Sequence, residues 1–142
     1  MKIYLRSTDQ PARFEATNDR GHTVYVEGQS KFGGQDTAPT PTELLLVSQA
    51  GCTAIDIVTL LKKMRQPIVN LEIESNGTRV EGQIPNVLDN IHLHFKIWGD
   101  VDPGKAEKAI SMSIEKYCPV SKMIDQVTKI THSFEIIDKL NI

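Results

Sequence analysis

The pattern of elements predicts an α+β fold, in the order β-β-β-α-β-β-α-α-β, with mostly antiparallel sheet around one long apolar helix. Three observations carry this. The stretch Thr40–Gln66, TPTELLLVSQAGCTAIDIVTLLKKMRQ, is apolar on nearly every side from Leu44 to Leu61. Short runs of β-formers divided by turn residues precede it, and longer, partly alternating runs follow it. Two proline-started helices then lead into a last strand.

Taken in order, Lys2–Ser7, Arg13–Asn18 and His22–Gly28 read as an antiparallel meander, with turns at Asp9-Gln10-Pro11 and Asn18-Asp19-Arg20-Gly21. Gly28–Pro39 is a loop into the central helix. It is not a phosphate-binding loop, because no Gly-Lys-Ser/Thr follows and proline opens the helix. Thr40 is a helix N-cap, Pro41 takes the first helical position, and Glu43 completes a capping box. Lys62, Lys63 and Arg65 suit the C-terminal end, and Pro67 stops the helix.

Ile68–Arg79 and Ile91–Trp98 are two further strands joined by the loop Glu81–Asn90. Asp102-Pro103 starts an amphipathic helix running to about Lys116, with the stripe Ala106, Ala109, Ile110 and Ile114. Its polar face is an ordinary solvated one. Tyr117-Cys118-Pro119 breaks it, and a short helix Val120–Gln126 restarts with Cys118 at its N-cap. Val127–Ile137 is the final strand. Phe95 and Trp98 belong to the core or to a contact between copies.

The central helix is long enough to raise the question of a membrane span. Ser48, Gln49, Thr53, Asp56 and Thr59 interrupt it, and the charge of Asp56 argues against spanning. Ser48, Cys52, Asp56 and Thr59 fall along one side, with Gln49 and Thr53 beside them. The result is a buried helix with a narrow polar stripe and a thiol in its middle.

At 142 residues the chain reads as a single domain, 1–142, too small to wrap such a helix alone. Dimerisation solves that problem. A net charge of −2 leaves no basic footprint for nucleic acid and no polybasic membrane patch. The opening MKIYLRSTDQ has no apolar signal-peptide run, so a cytoplasmic location is expected. In that compartment the two cysteines read as free or redox-cycling thiols.

Their surroundings differ. At an N-cap, Cys118 gains from the free N–H groups of Val120 and Ser121 and from the positive end of the helix dipole. Cys52 lies mid-helix, and Asp56 one turn away opposes its ionisation. Any charge that activates Cys52 must come from elsewhere in the fold or from another subunit. Each could also be an inert buried thiol, the commoner fate of a free cysteine. His92 and His94 alternate on one strand face at a spacing that can bind metal; Cys52, Cys118 or His132 could approach in space, but no third ligand stands at local spacing, so no metal is expected.

The segment PTPTELLLVSQAGCTAIDIV, followed by EKYCPVSKMI and ITHSFEII, resembles the OsmC/Ohr family of thiol-dependent peroxidases. It looks closest to the branch of OsmC-like proteins without an assigned activity, and the likeness covers essentially the whole chain. The resemblance implies an intertwined homodimer whose antiparallel sheets wrap around central helices. It further implies that Cys52 is the peroxidatic cysteine, attacking the O–O bond to become a sulfenic acid, and Cys118 the resolving one. An organic hydroperoxide is the implied substrate and a cellular dithiol the reductant; no cofactor is implied. The family's glutamate follows the helix-opening proline. Here Thr42 stands in that place and Glu43 comes next. The family's arginine lies near a glycine turn in the meander, where Arg20 is the nearest match and Lys31 the alternative. The competing reading is a non-catalytic or sensing domain that binds a small apolar or thiol-reactive molecule in the same cleft.

Overall fold

The computed structural model describes residues 1–138, and the chain forms two compact units, Met1–Leu45 and the remainder from Leu46. The elements follow the predicted order.

In the first unit, β1 (Ile3–Ser7), β2 (Arg13–Asn18) and β3 (Thr23–Glu27) form the expected antiparallel meander. Its second turn closes on Asn18, whose Oδ1 accepts from the N–H groups of Arg20 and His22 at 2.9 and 3.0 Å. The loop after β3 is more than a connector. It is folded around the buried carboxylate of Glu27, which accepts from the N–H groups of Gln35 (2.7 Å), Thr37 (2.6 Å) and Ala38 (3.0 Å). Gly34 permits this wrap, because a Cβ there would lie 1.7 Å from the carbonyl oxygen of Gly28. The sheet leaves Ile3, Tyr4 and Leu5 more than half exposed, so strand pairing holds this unit more than a core of its own does.

The central helix α1 spans Pro41–Lys63. Its start is the predicted capping box: the N–H of Thr40 donates to Glu43 Oε2 at 2.7 Å and that of Glu43 to Thr40 Oγ1 at 3.4 Å. The helix runs through Gly51 without a break. Its end differs from expectation, for Arg65 lies beyond the last turn with φ of 57°. The N–H groups of Gln66 and Arg65 return to Leu61 and Lys62 at 2.9 and 3.0 Å, a Schellman closure with arginine in glycine's usual place.

In the second unit, β4 (Ile68–Arg79) and β5 (Leu88–Gly99) form an antiparallel hairpin. The second strand starts earlier than its alternation suggested because Leu88 pairs with Arg79 across a register shift. The last strand, β6 (Lys129–Ile137), lies parallel to β5. That one parallel pairing follows from its helical crossover: α2 (Pro103–Met112), a π turn over Ser113–Tyr117, and α3 (Pro119–Ile124). Sequence periodicity had run α2 on to about Lys116; its last turn widens into the π turn instead.

Alternate residues of β5, namely Ile91, Leu93, Phe95 and Ile97, are fully buried and form one core with Ile57 and Leu61 of α1 and with Ala106, Ala109 and Ile110 of α2. Each such side chain contributes about 1.5–3 kcal/mol by leaving water. On α1 the buried residues are Gln49, Thr53, Ile57 and Leu61, one stripe at a spacing of four. Away from that stripe, Val47 is 61 % exposed and Ile55 70 %. By length and composition alone α1 could cross a bilayer. Asp56 and the hydrogen bonds of Gln49 and Thr53 described below argue for a place inside protein.

Candidate functional site

Three elements of the second unit bring the two cysteines together. Cys52 stands on α1, half-buried, with Asp56 one turn further along the same side. Cys118 is the N-cap of α3 and only 2 % exposed. The sulfur atoms of Cys52 and Cys118 and a carboxylate oxygen of Asp56 all lie within 4.8 Å of one another. Both thiols are free.

The cap predicted from Pro119 is present: the N–H of Ser121 donates to Cys118 Sγ at 3.2 Å. Gln49, fully buried, reinforces it by donating from Nε2 to Ser121 Oγ at 3.3 Å, which leaves the serine proton available to the sulfur. Thr53 Oγ1 lies 3.9 Å from the same sulfur, but it is 2.9 Å from the carbonyl of Gln49. It has one proton to donate, and the shorter contact claims it. Among the described residues the buried Oε1 of Gln49 has no hydrogen-bond partner.

These surroundings separate the thiols. Burial pushes the Cys118 thiol up, but hydrogen bonds from Cys52, from Ser121 and from the Ser121 N–H outweigh it, so its pKa falls below the ordinary 9.0. Burial raises the Cys52 thiol, donation toward Cys118 adds to that, and the charges of Cys118 and Asp56 oppose its ionisation. The N–H of Val120 works the other way and is outweighed; Cys52 is pushed up to about 11. Within this unit Cys118 is the more readily ionised thiol of the pair, with Cys52 as its hydrogen-bond donor.

Ser113 is a site residue that periodicity did not reveal. It is fully buried on the π turn, and its hydroxyl donates to Asp56 Oδ2 at 2.8 Å. Such turns often mark functional positions, but no spacing rule distinguishes one from an ordinary helix end.

The two other sequence candidates, Arg20 and Glu43, belong to the first unit. Arg20 sits exposed in the β2–β3 turn. Glu43 has its carboxylate engaged by both the N–H and the hydroxyl of Thr40, which hold its pKa below the usual 4.5. Lys31 lies in a short 3-10 turn over the ring of Phe32. A better-held arginine in this unit is Arg13. Its guanidinium stacks 4.5 Å from the Tyr25 ring centre and donates to Gln10 Oε1 at 2.9 Å and Thr37 Oγ1 at 3.2 Å. Sequence reading missed it because nothing in a strand pattern marks one arginine as immobilised.

The histidine pair is spoken for by neighbours on β6. His92 meets Thr131 at 2.8 Å and Ser133 at 2.9 Å, while His94 meets Ser133 at 2.7 Å and Glu135 at 3.3 Å. His132 pairs with Glu107 at 2.9 Å.

Known proteins resemble this chain in sequence or in fold. Protein YhfA of Escherichia coli K12 is 37 % identical over 118 residues, covering 82 % of this chain and 84 % of YhfA. A protein from Aquifex aeolicus VF5 superposes with a TM-score of 0.83 at 28 % identity, covering 97 % of this chain and 96 % of its own. An organic hydroperoxide resistance protein from Legionella pneumophila shares the fold, with a TM-score of 0.73 at 15 % identity over 94 % of this chain and 95 % of its own. The family profile described as OsmC-like protein matches residues 33–133, a span that takes in both cysteines and runs through both units, and the chain therefore belongs to the OsmC-like protein family.

Proposed function

We propose that this protein reduces organic hydroperoxides through Cys52 and Cys118, as one OsmC-like domain working in a homodimer. The observation that carries the reading is the pair of free sulfurs within 4.8 Å, one of them capped by Ser121. A Cys52 thiolate attacks the O–O bond, taking one oxygen as sulfenic acid and releasing the alcohol once the alkoxide is protonated. The Cys118 thiolate then displaces hydroxide from that sulfenic acid, the hydroxide takes a proton from solvent and leaves as water, and a disulfide forms. A dithiol restores both thiols by exchange and becomes a disulfide itself. Bond formation requires the sulfurs to close to roughly 2.05 Å, a side-chain movement. The fold shared with the Legionella protein supports the assignment, as does the place of both cysteines in the family motifs.

Cys52 needs a cation, because its own unit raises its pKa. We assign that role to an arginine of the first unit, from the same or the second copy. Arg20 occupies the place the family resemblance names, and Arg13 is the guanidinium already held in a fixed pose, which lowers the entropy cost of presenting it. Glu43 has a sufficient role as the helix cap and would only assist.

The uncovered side of α1 supports the dimer. Val47, Gly51 and Ile55 form an exposed stripe at a spacing of four, and a Cβ on Gly51 would meet nothing within 4 Å. Beside it a groove of about 550 Å³ runs between α1 and β4, lined by Ile55, Val58, Ile68 and Val69 among others. A small residue between two apolar ones lets a second helix approach closely. The deciding experiment is consumption of an alkyl hydroperoxide by the protein with a dithiol donor. Turnover that disappears in Cys52→Ser supports the reading. Binding without turnover would favour the alternative, a sensing domain.

A further inference from the structure

We propose that reduced Cys52 and Cys118, together with Asp56, form a binding site for a thiophilic divalent cation of the zinc class. The fourth position would fall to water or an exogenous ligand. Two sulfurs and a carboxylate oxygen are a donor set that zinc accepts, at roughly 2.3 Å to sulfur and 2.0–2.2 Å to oxygen, so tetrahedral ligands stand roughly 3.3–3.8 Å apart. The three donor atoms here are already within 4.8 Å of one another. The backbone holds them ready: Cys52 and Asp56 are one turn apart on α1, and Cys118 is fixed at the start of α3 by the Ser121 N–H. Asp56 also has the outer partner that metal-bound carboxylates commonly show, since Ser113 fixes its Oδ2 at 2.8 Å. Cys52 and Asp56 are only half-buried, which leaves a cation a way in.

Electrostatics agree with this geometry. All three groups are anionic when ionised, and the charges of Cys118 and Asp56 act against ionisation of Cys52. A divalent cation at their centre attracts all three and offsets their mutual repulsion. Binding releases the thiol protons to solvent and involves no oxidation. Oxidation of the pair to a disulfide removes two of the three ligands, and a bound cation in turn blocks attack on peroxide. The site thus needs reduced thiols and does not depend on peroxide turnover.

The test is a titration of anaerobic, fully reduced protein with Co²⁺, read by thiolate-to-cobalt charge transfer and by the visible bands of tetrahedral cobalt. One equivalent per chain should produce both signals, and the disulfide form should produce neither. Cys52→Ser and Cys118→Ser should each abolish the wild-type spectrum. Ser113→Ala should weaken binding by roughly 10–100-fold, as second-shell losses do. A His92→Gln, His94→Gln double variant should bind as wild type does. Unmutated protein gives a second reading, in which Zn²⁺ should protect Cys52 from alkylation until a chelator is added. Absence of the charge-transfer band in reduced protein, a full spectrum in either cysteine variant, or no protection by Zn²⁺ would each overturn the site. Cobalt binding without peroxide consumption would leave this site standing and remove the proposed reaction.

Discussion

If Cys52 is the attacking thiol, its reactivity must exceed what its own unit allows, and the shortfall has a size. Burial, Cys118 and Asp56 push its pKa from 9.0 up to about 11, which cuts the thiolate present at pH 7 by roughly a hundredfold. A well-placed cation lowers a pKa by roughly 1–3 units and can restore that loss. The perturbations are Cys118→Ser and Cys52→Ser, each combined with Arg20→Ala or Arg13→Ala. Each variant receives one equivalent of an alkyl hydroperoxide, the sulfenic acid is trapped with a dimedone-type probe, and the adduct is located by mass spectrometry. Alkylation rates across pH give the thiol pKa in parallel. We expect the adduct on Cys52 in Cys118→Ser, little on Cys118 in Cys52→Ser, and a fall of roughly 10- to 1,000-fold when the serving arginine is removed. Asp56→Asn should move the other way, because deleting a neighbouring anion lowers the Cys52 pKa and raises its rate. An adduct on Cys118 at an equal or greater rate would refute the assignment of roles, since Cys118 is the better thiolate in its own unit. No adduct in either variant would favour the binding-domain reading.

Sedimentation at micromolar concentration should show a dimer, and Ile55→Glu on the exposed stripe of α1 should shift it toward monomer; a folded wild-type monomer would end the dimer reading. Thr40→Ala breaks the capping box and should cost about 0.5–2 kcal/mol in denaturant unfolding, with peroxide chemistry unchanged per folded molecule. Ile57→Ala empties part of a fully buried position and should cost about 2–5 kcal/mol by the same measurement. Glu27 is held below its usual 4.5 by the N–H groups of Gln35 and Thr37. Its stabilisation is therefore complete above pH 4.5 and is lost as pH falls through the lowered native value. The stability gap between wild type and Glu27→Gln should narrow with acidification over that range; a gap independent of pH would assign Glu27 a purely steric role.

What was legible in this sequence was whatever depends on neighbours within a few residues. Caps, prolines and runs of β-formers announced the six strands and three α-helices of the described residues, and the capping box of Thr40 and Glu43 formed as read. Cys118 was placed at an N-cap from Pro119 alone, and the Ser121 N–H does meet its sulfur. Chemistry that depends on distant pairing was not legible. The Ser113–Asp56 bond crosses from the π turn to α1, and no periodicity announces a π turn. The role of the Glu27 carboxylate was not legible, because its partners are backbone N–H groups of a loop that carries no sequence signal for that fold.

The polar stripe on α1 lies between these cases. Its spacing was plain, but its purpose was not. Gln49 and Thr53 are the buried members, and Gln49 reaches the Cys118 cap through Ser121, whereas Ser48 and Thr59 are exposed. Local electrostatics therefore prepare Cys118, the thiol the family resemblance casts as resolving, and leave Cys52 protonated. That division has chemical sense, since a resolving thiol that ionises more readily shortens the life of a sulfenic acid before it can be over-oxidised. On the proposed reaction the attacking step also needs a cation that the surroundings of Cys52 do not supply, so a dimer that assembles wrongly would keep Cys118 and lose peroxide attack. Alkylation of Cys118 that persists in a monomeric Ile55→Glu variant, while sulfenic acid on Cys52 disappears, is the result this coupling demands.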